Sequence, residues 1–209
     1  MSNFASRTAV RFACLSSAVA VLLIAAPAMA LEPKPDEGEK LKACEQNLCG
    51  IILSKDAGGG DLACQISKTW AKDKIEKGAG EKKLSWGFGD ARCGIDLTAE
   101  RAGIIKALTE KEHSLEMKPQ TVKCEVEQAE GATTIDVTLA PKVTFKDGKA
   151  HKAWLNISKI EAPTVVKGAI WTVAKIEDNF GVFHGEIIEE INDFVGSKCA
   201  KRYPELVKK

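Results

Sequence analysis

The chain has 209 residues, with 30 basic and 29 acidic side chains and 44% hydrophobic residues, for a formal net charge of +1. That near balance lacks the basic excess of a nucleic-acid binder. The length fits one domain or two small ones and is enough to bury a core.

Residues 1–30 hold the three parts of an export signal in order. Arg7 and Arg11 form a positive region, an apolar run extends from Cys14 to Ala26, and Ala28-Met29-Ala30 supplies the small residues signal peptidase needs before its cut. The run is well short of the ~20 residues that span a bilayer. The expectation is cleavage after Ala30 and a soluble product with no membrane anchor. Without Arg7 and Arg11 the remaining chain has 28 basic against 29 acidic residues, and its lysines read as a solvated surface.

Residues 31–36 begin a Pro-rich, charged tail expected to be flexible. Leu41, Cys44, Leu48 and Ile51 then recur at steps of three and four, which predicts a helix from about Glu37 to Lys55, ended by Gly58-Gly59-Gly60. Asp61 suits the cap of a second helix with Leu62, Ile66 and Trp70 spaced by four, ending near Gly78 to Gly80. The segment 83–93 (KLSWGFGDARC) reads as a structured loop or short strand. A third helix, capped by Asp96 or Thr98 and holding Ile104, Ile105 and Leu108, is expected before Pro119.

Beyond Pro119 the apolar period falls to two. Val122, Cys124 and Val126 alternate with polar neighbours, and Ile135, Val137, Leu139, Val143 and Phe145 share one face of a long second strand. A third strand presents Ala153, Leu155 and Ile157. A three-residue turn 146–148 keeps these on the common face by pairing Leu139 with Leu155 and Val137 with Ile157, with Gly148 left-handed. The same register puts Trp154 on the polar face with Lys142, Lys152 and Asn156. Pro163 opens a broadly apolar helix reaching Ile176. A final helix after Gly181 lines up Ile187, Ile191, Phe194, Val195 and Cys199.

Cys44, Cys49, Cys64, Cys93, Cys124 and Cys199 follow the export segment, an even number that favours three disulfides. No Cys-x-x-Cys spacing supports a redox, haem or zinc motif. A helical hairpin around the triple glycine would bring Cys49 to Cys64 and leave Cys44 for Cys93. The final helix, laid over the sheet, would bring Cys199 to Cys124.

Catalytic signatures such as Gly-x-Ser-x-Gly, His-Glu-x-x-His or a phosphate-binding loop are absent. His113, His151 and His184 are far apart and none has metal-ligand spacing, so neither a metal nor a cofactor is expected. The pairs Glu189-Glu190 and Glu125/Glu127 read as solvating charges. Trp70 and Trp171 belong to core stripes. Trp86, in a Gly-rich loop, and Trp154, on a polar face, have no core assignment and are the candidates for a ligand or partner surface.

The runs Lys68-Thr69-Trp70, SWGFGDARC (85–93) and GVFH (181–184), with Ile191-Asn192-x-Phe194 and Cys199, resemble pieces of secreted alphaproteobacterial proteins of unknown function. The resemblance implies a periplasmic location and no particular activity. The expected architecture is α+β. It has a signal over 1–30, a tail over 31–36 and one domain over 37–209, with a helical part (37–118) before a three-stranded antiparallel meander covered by two helices (119–209). The expected role is a monomeric, non-enzymatic binding or interaction protein taking a small ligand or an envelope protein. The alternative is a cell-envelope hydrolase with His184 or His151 as base.

Overall fold

The computed structural model describes residues 31–81, 85–164, 166–168 and 184–207. The expected export segment and most of the helix expected from Pro163 to Ile176, Trp171 included, lie outside the described residues. The elements run α1 (Glu37–Ser54), β1 (Leu62–Trp70), α2 (Lys72–Glu81), β2 (Ala91–Ala99), α3 (Arg101–Thr109) and β3 (Glu112–Glu116). They continue with β4 (Gln120–Gln128), β5 (Gly131–Leu139), β6 (Lys142–Lys146), β7 (Lys149–Trp154), β8 (Ile157–Glu161) and α4 (His184–Asp193). A π-helical turn (Phe194–Lys198), α5 (Cys199–Arg202) and a 3₁₀ turn (Pro204–Leu206) close the described chain.

The fold is α+β with antiparallel sheets, but the expected three-stranded meander is replaced by eight strands in two sheets among the described residues. One sheet has the order β1-β2-β4-β5-β8 and the other β3-β6-β7. The helix expected after Asp61 is the edge strand β1, paired along its whole length with β2, Leu62 opposite Ala99 and Trp70 opposite Ala91. A spacing of four is a multiple of two, so Leu62, Ile66 and Trp70 share a strand face as readily as a helix face. Asp61 does cap a helix, though a different one: its Oδ1 accepts from the Arg101 amide at 3.0 Å, at the start of α3. Asp96 and Thr98, expected to cap that helix, lie inside β2.

The long strand 135–145 breaks at Ala140-Pro141 and passes from the first sheet into the second. Its partner breaks opposite, at Leu155-Asn156. Asn156 adopts a left-handed φ of 49°, donates from Nδ2 to the Ala140 carbonyl at 3.0 Å, and accepts from the Ala140 amide at 3.2 Å. Together β5–β6 and β7–β8 form one bent hairpin shared between the sheets. Its turn has two residues, with Asp147 and Gly148 both at positive φ and Lys146 opposite Lys149, in place of the expected three-residue loop. A side chain on Gly148 would also meet the Leu108 carbonyl oxygen at 3.0 Å. Extra residues at His151 and Ser158 then shift the register twice, so Leu139 faces Ile157 and Val137 faces Ile160.

All three disulfides differ in pairing from expectation. Cys44 joins Cys64, Cys49 joins Cys199 and Cys93 joins Cys124, in place of Cys49–Cys64, Cys124–Cys199 and Cys44–Cys93. A strand climbs about twice as far per residue as a helix, roughly 3.3 against 1.5 Å. With 62–70 extended, Cys64 overshoots Cys49 and reaches Cys44. Cys49 then meets Cys199, both fully buried. Cys93, a strand residue of β2, lies directly opposite Cys124 of β4. The three bonds place the folding of this chain in an oxidising compartment.

Three apolar clusters result among the described residues. The first joins α1, β1, α3 and the C-terminal helices through Cys49, Ile52, Leu62, Ile104, Cys199 and Tyr203. The second packs Ala91, Val126, Ile135 and Val166 under the Trp86–Phe88 loop. The third sets Phe145 and Ala150 of the smaller sheet against Ala107, Ile188 and Ile191.

Candidate functional site

Between the first and third clusters lies a cleft of about 420 Å³. Leu48 and Ile52 of α1 and Leu62, Leu97 and Ala99 of the larger sheet form one wall. Leu115, Val143 and Phe145 of the smaller sheet form the other, while Ile104, Leu108, Ile191, Phe194 and Val195 complete it from the helices. Each strand contributes alternate residues, and each helix the stripe that the sequence places inward. The π-helical turn adds a residue at Phe194–Lys198, where Phe194 and Val195 line the cleft, immediately before the Cys199 anchor. Such turns often mark functional positions. Gly103 lets α3 lie close to β3, since a Cβ there would come within 2.9 Å of Leu115 Cδ1.

Among the described residues that line the cleft Glu190 is the one ionisable side chain, and it is largely open to solvent. Its two carboxylate oxygens accept from Lys198 Nζ at 2.7 and 2.8 Å. The described lining therefore offers mainly hydrocarbon contact. Several cleft residues, among them Leu48, Leu62, Ile104, Leu108, Val143, Phe145 and Ile191, lie on apolar stripes that read as core in the sequence. Only their failure to close on one another distinguishes them, and no sequence signal reports that.

Of the two tryptophan candidates, Trp86 is part of the second cluster. Its ring meets Phe88 edge-on at 5.1 Å and its Nε1 donates to the Gly89 carbonyl at 2.8 Å. Trp154 is half-buried on the outer face of the smaller sheet, opposite Lys142. The two do not meet in one site. Trp70, expected in a core, is 40% exposed because the 62–70 segment is an edge strand.

The histidines do structural work or stand in the open. β7 is an edge strand, and α4 covers it with two side chains. His184 Nδ1 lies 3.0 Å from the Ala153 carbonyl and 3.4 Å from the Ala153 amide. Asn192 accepts from the Ala150 amide at 2.8 Å and donates to the Ala150 carbonyl at 3.0 Å. Eight helical residues span about 12 Å and three strand residues about 10 Å, so the two caps match the strand spacing. His113 Nδ1 is 3.1 Å from a Glu110 carboxylate oxygen, and His151 is an exposed bulge residue. Glu125 pairs with Arg92, and Glu127 accepts from the Asp90 amide at 3.1 Å. Among the described residues no group of three His, Cys, Asp or Glu side chains is arranged to hold a metal, and no helix is long and apolar enough to cross a membrane.

No family model, no curated protein and no solved structure matches the chain.

Proposed function

We propose that this is an exported, non-enzymatic binding protein that holds a hydrocarbon chain, such as that of a fatty acid or single-chain lipid, in the apolar cleft. The observation that supports this reading most strongly is the cleft lining, which among the described residues is apolar apart from the paired Glu190. An extended peptide would lose backbone hydrogen bonds there without replacement. A hydrocarbon chain loses nothing polar on entry. The export segment and the resemblance to secreted bacterial proteins support a periplasmic site of action, with a mature chain starting at Leu31.

The hydrolase alternative has less support. His184 is bonded to backbone, and no hydrogen bond joins His151 to a carboxylate among the described residues.

Native mass spectrometry of protein taken from the periplasm, then stripped and titrated with palmitate, tests the proposal. The expected result is a start at Leu31 and an extra mass lost on denaturation. Palmitate at a hundredfold excess over its Kd should stabilise the stripped protein by about 2.7 kcal/mol. Ala99→Trp, which sets an indole into the cleft, should abolish the shift while leaving the far-UV spectrum intact. Palmitate stabilisation that survives Ala99→Trp would sink the assignment, as would its absence from the unmodified protein.

A further inference from the structure

The outer face of the smaller sheet has a composition of its own. Phe145, Ala150 and Ala153 point inward to the core, so the register turns Ser114, Thr144, Lys152 and Trp154 outward. The charges on this face are unevenly matched from strand to strand. The carboxylates of β3 are neutralised by β6, with Glu116 2.7 Å from Lys142 and Glu112 3.9 Å from Lys146. Lys149 and Lys152 of β7 are exposed and have no ion-pair partner among the described residues. The bulge residue His151 stands exposed between them.

Trp154 lines an open concavity of about 520 Å³ together with Ser114, Thr144, His151, Lys152 and the Lys146-paired Glu112, and Lys149 lies beyond it toward the hairpin turn. The Trp154 ring is edge-on to His184 at 6.3 Å. The indole is half-buried, which leaves part of the ring open to stack with a ligand. Hydroxyls, an imidazole and the Lys152 ammonium group beside an aromatic ring, with the Lys149 ammonium further along the strand, match an extended ligand with an apolar ring face, many hydroxyls and negative charge. We propose that this face binds an acidic saccharide, with sugar C–H groups against Trp154 and carboxylate, sulfate or phosphate groups on Lys149 and Lys152. It lies on the opposite side of the sheet from the apolar cleft and does not depend on the lipid assignment.

Calorimetric titration with oligogalacturonate tests the proposal, with maltohexaose and phosphatidylglycerol vesicles as controls. Oligogalacturonate should bind, weakening as salt rises, and maltohexaose should bind at least about tenfold less tightly. The double variant Lys149→Glu/Lys152→Glu, whose side chains are exposed, should lower oligogalacturonate affinity at least about tenfold with an unchanged thermal midpoint. Trp154→Ala should lower it about tenfold, and Trp154→Phe, which preserves a stacking ring, should recover most of that loss. The proposal fails if oligogalacturonate does not bind, if neither the lysine pair nor Trp154 alters its binding, or if the vesicles bind through these same residues.

Discussion

Every cysteine of the described chain lies on the larger sheet, on α1 or on α5, whereas the smaller sheet has none. The longest-range bond, Cys49–Cys199, closes 150 residues and ties the first helix to the last. The smaller sheet is held by the packing of Phe145 and Ala150 and by the caps from His184 and Asn192. Two of its three strands form a tight hairpin, so a crosslink between them would close a very short loop and remove little chain entropy. Crosslinks of this kind stabilise most where the chain itself restrains least. The apolar cleft runs along the seam, with one wall on the crosslinked part and the other on the part held by packing.

Removing the long crosslink should have the largest effect. In the chain-entropy treatment a loop of that length is worth about 5 kcal/mol, against about 3 kcal/mol for the 20-residue separation of Cys44 and Cys64. Urea midpoints of Cys49→Ala/Cys199→Ala and Cys44→Ala/Cys64→Ala should fall in that order. Equal losses would mean that loop length does not govern what these bonds contribute.

The smaller sheet should respond locally. Asn192→Ala strips both cap bonds from Ala150, leaving a buried amide and carbonyl without their partner, at about 1–3 kcal/mol. Hydrogen exchange should speed up across β6 and β7 while β1 and β2 keep their protection. Uniform acceleration across both sheets would show that the two parts open together and erase the contrast between them.

What the sequence disclosed follows the same division. α1 was legible because Leu41, Cys44, Leu48 and Ile51 step by three and four, a mixture that only a helix satisfies. β1 was not, because Leu62, Ile66 and Trp70 step by four alone. Cys64, between Leu62 and Ile66 on the same strand face, was the residue that distinguished the two, and once the segment is extended the cystine pattern changes with it. The apolar alternation of β4 and β5 was legible, and Val122 and Cys124 do face Val137 and Ile135. The division into two sheets was not, since it depends on Pro141, Asn156 and two bulges that change register without disturbing local composition. Trp154 declared itself by standing among lysines, whereas the cleft was invisible because its residues differ from core only in what they fail to touch.

The smallest effect concerns the free edge of the larger sheet. Glu37, 4% exposed at the start of α1, accepts from the Thr69 amide at 2.6 Å and the Thr69 hydroxyl at 2.8 Å, with Lys68 Nζ at 3.8 Å. Burial alone would push this carboxyl up, but the two Thr69 donors and the Lys68 charge outweigh it, and the net displacement is downward from 4.5. A carboxylate with a lowered folded-state pKa binds protons more readily in the unfolded chain. Its contribution is therefore complete above the unfolded value and is lost as pH falls through the folded one. Glu37→Gln preserves the shape and one acceptor, so it should cost about 1 kcal/mol at pH 7. The difference between the two proteins should shrink progressively as the pH drops below about 4.5. Asp36, Glu116 and Glu161 are displaced in the same direction by neighbouring lysines, but they are common to both proteins and cancel in the comparison. A gap between the denaturation curves that stayed constant from pH 7 to pH 3 would show that the ionised form of Glu37 is not what holds the β1 edge to α1.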